Sequence, residues 1–202
     1  MCWNASVSLN TFLFSTSVAT LGLYNSIFTV YTYLFVLSFI FMQLLEYFIW
    51  TYLSNPRMNR LLSQCGLLLI LSQPAFAMLS CEKTPWILPM LLGYTAFLVV
   101  CFMIKPWSSF DFRSIPAKSG HLSWKWSAFP WMLVYLYIFF HTLVYAVEGK
   151  WLSYGFMIGL VGIIYYLYHS DLTWGSMWCW ISNGLAFYWL YLIFRKDWCL
   201  HP

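Results

Sequence analysis

The stretch Gln43-Leu44-Leu45-Glu46-Tyr47-Phe48-Ile49-Trp50 decides how the rest of this chain is read. It closes an apolar run from Thr29 to Leu53 and carries that run's one acidic residue, Glu46. On a helix Gln43, Glu46 and Trp50 fall at i, i+3 and i+7 and share a face. A charged carboxylate buried alone in such a run is costly, so Glu46 must be neutral, paired or beside water. Intramembrane ionisable residues are functional candidates by default, which makes Glu46 the leading one here.

The composition of the whole chain agrees with that reading. Of 202 residues, 62% are hydrophobic and 23% aromatic, only 8% are charged, and the mean hydropathy is +0.71. A soluble domain carries roughly 25% charged residues, enough to cover a water-facing surface. This chain cannot do that, so its solvent is lipid. The net charge of +4 is small and comes from loops, which points to the membrane surface and not to nucleic acid. Met1-Cys2-Trp3-Asn4 has no basic region ahead of an apolar one, so the first span is expected to be its own insertion signal.

Seven segments approach the length of about 20 apolar residues that a span needs. They are 6–24, 29–53, 61–80, 86–104, 129–148, 151–169 and 173–194. The expected fold is all-α, an integral membrane bundle of about seven transmembrane helices forming a single domain, 1–202. Ser15, Thr16, Ser17 and Thr20 dilute the first span, and Asn25-Ser26 connects it tightly to the second. Pro56, Arg57 and Arg60 mark an aqueous loop. Gln73-Pro74 should bend span three and free a carbonyl for another partner. The one long loop, 106–128, contains Trp124-Lys125-Trp126, which reads as an anchor at the headgroup level. Gly155 and Gly159 form a small-xxx-small pattern expected to pack within the bundle, with a homo-oligomer contact as the alternative.

Loop charge sets the orientation. With seven spans, Arg57, Arg60, Lys105, Arg113, Lys118 and Lys125 share a side with the N-terminus, against Lys83, Lys150, Arg195 and Lys196 on the other. The positive-inside rule then places the N-terminus in the cytoplasm. The sequon at Asn4-Ala5-Ser6 would stay unglycosylated, and Cys81 and Cys199 would share the outer side as a candidate disulfide pair.

Counted at about 1.5 Å per residue from the N-terminal side, Glu46 and Cys179 lie near ~10 Å, Gln43 and Asn183 near ~15 Å, and Gln73 and His141 near ~18 Å. Six polar groups from spans two, three, five and seven thus fall in one slab. For Gln73 and Asn183, hydrogen bonding between helices is the simpler role. His141 has three readings: a metal ligand, a proton carrier or a partner of Glu46. Cys179 reads as a small filler. Glu148, His169 and Asp171 sit at span ends, and His121 and His201 in exposed segments. The aromatic residues read mainly as lipid-belt and packing groups, with an aromatic ligand cage as the lesser reading.

Several classes are excluded by residues. Span seven has no lysine for a retinal Schiff base and no His-x-x-x-His pair for a membrane hydrolase. There is no Gly-rich phosphate loop, no Ser-His-Asp order and no C-x-x-C pair, so neither a zinc nor an iron–sulfur site is expected and no cofactor is implied.

Met1-Cys2-Trp3-Asn4, Gln43-x-x-Glu46-x-x-x-Trp50, and Trp174-Gly175-Ser176-Met177-Trp178-Cys179-Trp180 with Asn183 together resemble a family of small polytopic membrane proteins of large DNA viruses and microbes. That family's function is unknown, so the resemblance implies a membrane topology and draws attention to Cys2, Glu46 and Cys179. Cys2, beside the first span, is a candidate for lipidation or for processing after Met1 removal. The function expected first is binding or passage of a small solute or ion (a proton or a cation) through the polar slab of Glu46, Gln43, His141, Gln73, Asn183 and Cys179. The alternatives are an intramembrane enzyme using Glu46 and His141 as acid and base, and a structural or partner-binding membrane protein.

Overall fold

A computed structural model of the chain describes residues 4–200, leaving aside the side chains of 181, 182 and 196–200. Seven helices run through it: α1 Ala5–Tyr24, α2 Val30–Thr51, α3 Pro56–Leu79, α4 Ile87–Ile104, α5 Trp131–Val147, α6 Trp151–Tyr168 and α7 Trp174–Leu200. Six of these segments are long and apolar enough to cross a membrane, and α5, with 17 residues, is the shorter exception. The main core gathers residues of α2, α3, α4, α5 and α7, and a smaller cluster joins α1 to α7 through Val18, Ala186 and Ile193.

The helix ends follow local chemistry. Asn4, Thr29 and Asn55 each accept a bond from a backbone N–H three residues on, capping α1, α2 and α3. Asn55 with Pro56 at the first helical position starts α3 five residues before the apolar run, so Arg57 and Arg60 belong to its first turns and not to a loop. At α5 the effect is reversed. Proline disfavours the helical conformation in the residue before it, so the helix waits until after Pro130, and Gly149 at φ +78° follows the C-cap Glu148.

Pro74 has no N–H for the carbonyl of Ile70, and the Tyr137 hydroxyl of α5 donates to that oxygen at 3.1 Å. The carbonyl that the Gln73-Pro74 sequence was expected to free is therefore used to tie α3 to α5. One position on, Tyr94 of α4 donates to Leu71 O at 2.6 Å.

Further expectations are overturned. The glycine face of α6 does not pack within the bundle: a Cβ placed on Gly155, Gly159 or Gly162 would meet nothing within 4 Å. Among described residues only Val161 and Ile164 of α6 are buried, because this helix touches the bundle along one narrow stripe. The second concerns the long loop. Trp124 and Trp126 are not at the surface but 0% and 1% exposed, stacked with centroids 4.8 Å apart. They reach the interior because the loop folds into a hairpin, β1 Ser114–Pro116 antiparallel to β2 Leu122–Trp124, which lies on one end of the bundle. Two helices present glycine where the indoles sit: an added Cβ would come 3.0 Å from Trp126 at Gly66 and 2.5 Å from Trp124 at Gly175. His121, in the same hairpin, is buried as well.

Polar bonds hold the hairpin down. Asn59 of α3 grips Ser114 twice, donating from Nδ2 to its carbonyl and accepting its N–H at Oδ1, both at 2.9 Å. Ser114 Oγ contacts Ser63 Oγ at 2.9 Å and accepts the Trp126 indole N–H at 3.2 Å. On the other side Trp124 N donates to Leu172 O and Ser123 Oγ to Asp171 O. Asn59→Ala would leave one buried N–H and one buried C=O without partners and is expected to cost about 3 kcal/mol. Thermal unfolding in detergent measures this, and a loss under about 0.5 kcal/mol would mean the grip is not a structural support.

Candidate functional site

The six polar residues of the slab are all buried: Gln43, Glu46, Gln73 and Cys179 at 0% exposure, His141 at 2% and Asn183 at 5%. Gln73 belongs to a tie between helices, donating from Nε2 to Ser38 O of α2 at 3.3 Å and accepting from Tyr137 of α5 at Oε1 at 3.2 Å. One turn along α5, His141 sits among rings: Phe39 at 5.3 Å, Phe35 at 5.7 Å, Tyr137 at 5.8 Å and Trp178 at 6.0 Å between centroids. Neither of its nitrogens hydrogen-bonds to any described residue, Glu46 included. Beside it is a void of about 10 Å³, at the lower limit for one water.

Glu46 of α2 and Cys179 of α7 are both fully buried, on two helices that pack against each other. One turn further on, Asn183 Nδ2 donates to the carbonyl of Cys179 at 2.6 Å, while its Oδ1 has no hydrogen-bond partner among described residues. Gln43 lies one helical turn before Glu46 on the same buried face of α2. Among described residues no three His, Cys, Asp or Glu side chains gather as a metal site. Cys2 lies outside the described residues, and so does the side chain of Cys199, proposed partner of Cys81.

A cleft of about 210 Å³ between α2, α5, α6 and α7 reaches Asn183. Phe35, Phe39, Trp178 and Asn183 line it in the bundle, and Glu82, Glu148 and Lys150 line it at the end where the 80–86 and 148–150 connections meet. The opposite end of the bundle is the one the tryptophan hairpin covers. In the sequence Glu148 sits at a span end, and Trp178 stands only within the Trp174–Trp180 motif. Nothing in the local pattern marks Glu82, Lys150 or Tyr137 as site residues, save that Tyr137 stands one turn before His141 on the same face.

The charged mouth is built as a latch. Lys150 Nζ stands 2.8 Å from Glu148 Oε2 and 3.4 Å from Glu82 Oε1. Glu148 Oε1 accepts the Glu82 backbone N–H at 2.8 Å, and Lys83 Nζ donates to Val147 O at 2.7 Å. Burial pushes the Glu148 carboxyl upward, but the Lys150 ammonium and the Glu82 amide outweigh it and hold the group below its ordinary value. Bonding to Glu148 raises Lys150 correspondingly. A depressed carboxyl contributes stability that is present above its unfolded pKa, about 4.3, and lost as pH falls through the folded value. The melting temperature should therefore fall as the medium is acidified below about pH 4.3, and Glu148→Gln should remove part of that fall. Superimposable acid limbs for the two proteins would rule the latch out as a source of stability.

Neither a protein-family model, a curated protein nor a solved structure matches the chain.

Proposed function

We propose that this is a seven-span membrane protein, its N-terminus in the cytoplasm, that binds a small solute or ion in the α2–α5–α6–α7 cleft and passes it along the buried polar level. The observation that carries the reading is the cleft itself. It is continuous from the charged residues Glu82, Glu148 and Lys150 to Trp178 and Asn183, while the opposite end of the bundle lies under Trp124 and Trp126. A site open to one side and covered on the other corresponds to one state of alternating access. With a cytoplasmic N-terminus the cleft faces outward, so a solute would enter from outside.

Within this reading the residues divide by role. Gln73 is engaged at both ends of its amide and serves as a helix tie. Asn183 lines the cleft, Glu46, Gln43 and Cys179 would extend a polar path beyond it along α2 and α7, and His141 lies among the rings beside Trp178. The test is flux of protons, alkali cations and small solutes into proteoliposomes holding the purified chain. Uptake above that of empty liposomes supports the proposal. Its absence for every solute, together with no saturable binding, would leave a structural or partner-binding protein in its place.

A further inference from the structure

We propose that the occupant of the cleft is a small primary ammonium ion, an inference that rests on reading the cleft as a solute site. Three features of its lining converge on that chemistry. The first is the wall. Phe35, Phe39, Trp178 and Trp189 line the cleft, with Phe35 and Trp178 each edge-on to Phe39 at 5.1 and 6.0 Å. Aromatic faces attract a cation through their quadrupole and repel an anion.

The second is the mouth. Lys150 bridges the two carboxylates of Glu82 and Glu148, so the entrance already holds one ammonium group, tethered to the chain. A free ammonium passing the same carboxylates would compete with Lys150 for them. That gives the substitution of Lys150 a diagnostic sign: its loss should strengthen binding of a cation and weaken binding of an anion.

The third is the inner end. Asn183 is 5% exposed and lines the cleft, and its Nδ2 is committed to Cys179 O at 2.6 Å. That bond fixes the orientation of the amide and leaves Oδ1 as a buried acceptor with no hydrogen-bond partner among described residues. Leaving such an acceptor unmade is costly, and a ligand donor that reached it from the inner end of the cleft would satisfy it. An N–H of a primary ammonium supplies one, whereas a quaternary ammonium has none. The volume of about 210 Å³ is below the roughly 300 Å³ at which drug-sized ligand sites begin, so the alkyl part is short. A bare inorganic cation fits less well, because it needs about six oxygen ligands and the inner end offers one amide oxygen.

The experiment compares four probes on the full chain in detergent by calorimetric titration: n-butylammonium, n-butanol, butyrate and potassium ion. Butylammonium should bind at least about ten-fold tighter than butanol, since cation–π contacts and a charged hydrogen bond are both lost in the alcohol. Butyrate and potassium should show no saturable binding. Lys150→Met should tighten butylammonium binding several-fold, and Asn183→Leu should weaken it about ten-fold or more. The comparison of probes on the wild-type chain needs no variant to fold. Equal affinity for butanol and butylammonium, or weaker binding in Lys150→Met, would overturn the ammonium assignment while leaving a solute site in place. No binding of any of the four, with flux of other solutes intact, would do the same. No binding and no flux of anything would remove the solute site as well.

Discussion

Trp124→Ala is expected to destabilise the protein by about 3–5 kcal/mol, the range for truncating a fully buried large aromatic. The reason is packing. Trp124 is 0% exposed, stacks on Trp126 with planes 13° apart, and lies against Gly175 where no Cβ would fit. Its indole N–H has no hydrogen-bond partner among described residues, so removing the side chain leaves no acceptor stranded and the cost is that of the cavity. Effects at Trp126 will not add to it, because the two rings share one contact. The measurement is the unfolding midpoint in detergent, with Trp131→Ala as the reference: Trp131 is 65% exposed and its loss should cost less than about 0.5 kcal/mol. Equal costs at the two positions would return the Trp124-Lys125-Trp126 segment to the surface. If the hairpin covers the end of a solute path, the variant should also leak small solutes that the wild type retains.

Glu46→Gln is expected to abolish flux with the fold preserved. Glutamine keeps the shape and one oxygen of the carboxyl but can neither carry a charge nor exchange a proton, so the variant separates charge from packing. Glu46 is 0% exposed on α2, one helical turn after the equally buried Gln43. A buried ionisable group in an apolar helix is expensive to maintain, and conduction or cation binding is the role that would justify it. The comparison is flux in proteoliposomes, with the melting temperature of the same preparations as control. Undiminished flux would remove Glu46 from the path. A fall in melting temperature alone would make it a helix contact, worth about 0.6 kcal/mol if it resembles the average polar contact between helices in a membrane.

The positions of the helices were legible in the sequence because apolar runs of this length have few other folds. The ends were less so. Pro56 lengthened α3 and Pro130 shortened α5 through backbone rules that outweigh hydropathy at a boundary. The burial of the polar residues was legible, since each lies within an apolar run. Which of them touch was not, because position in a run says nothing of rotation about the axis. Gln73 turned toward Ser38 and Tyr137, while His141 turned into a ring of aromatics.

Sequence alone determined that the chain is helical and apolar, that Glu46 is buried within such a helix, and that Pro74 would leave a carbonyl to be taken. These follow from local chemistry: transfer cost, rise per residue and a missing N–H. Tertiary structure decided which hydroxyl took that carbonyl, that α6 leaves its glycine face outside the bundle, that two tryptophans of a loop lie inside, and that Glu82 meets Glu148 across 66 positions to form the mouth of a cleft. Nearly uniform apolar helices carry no periodic signal to say which face turns inward. That choice is made by the shapes of neighbouring helices, and shape complementarity between distant segments exists only after they have met.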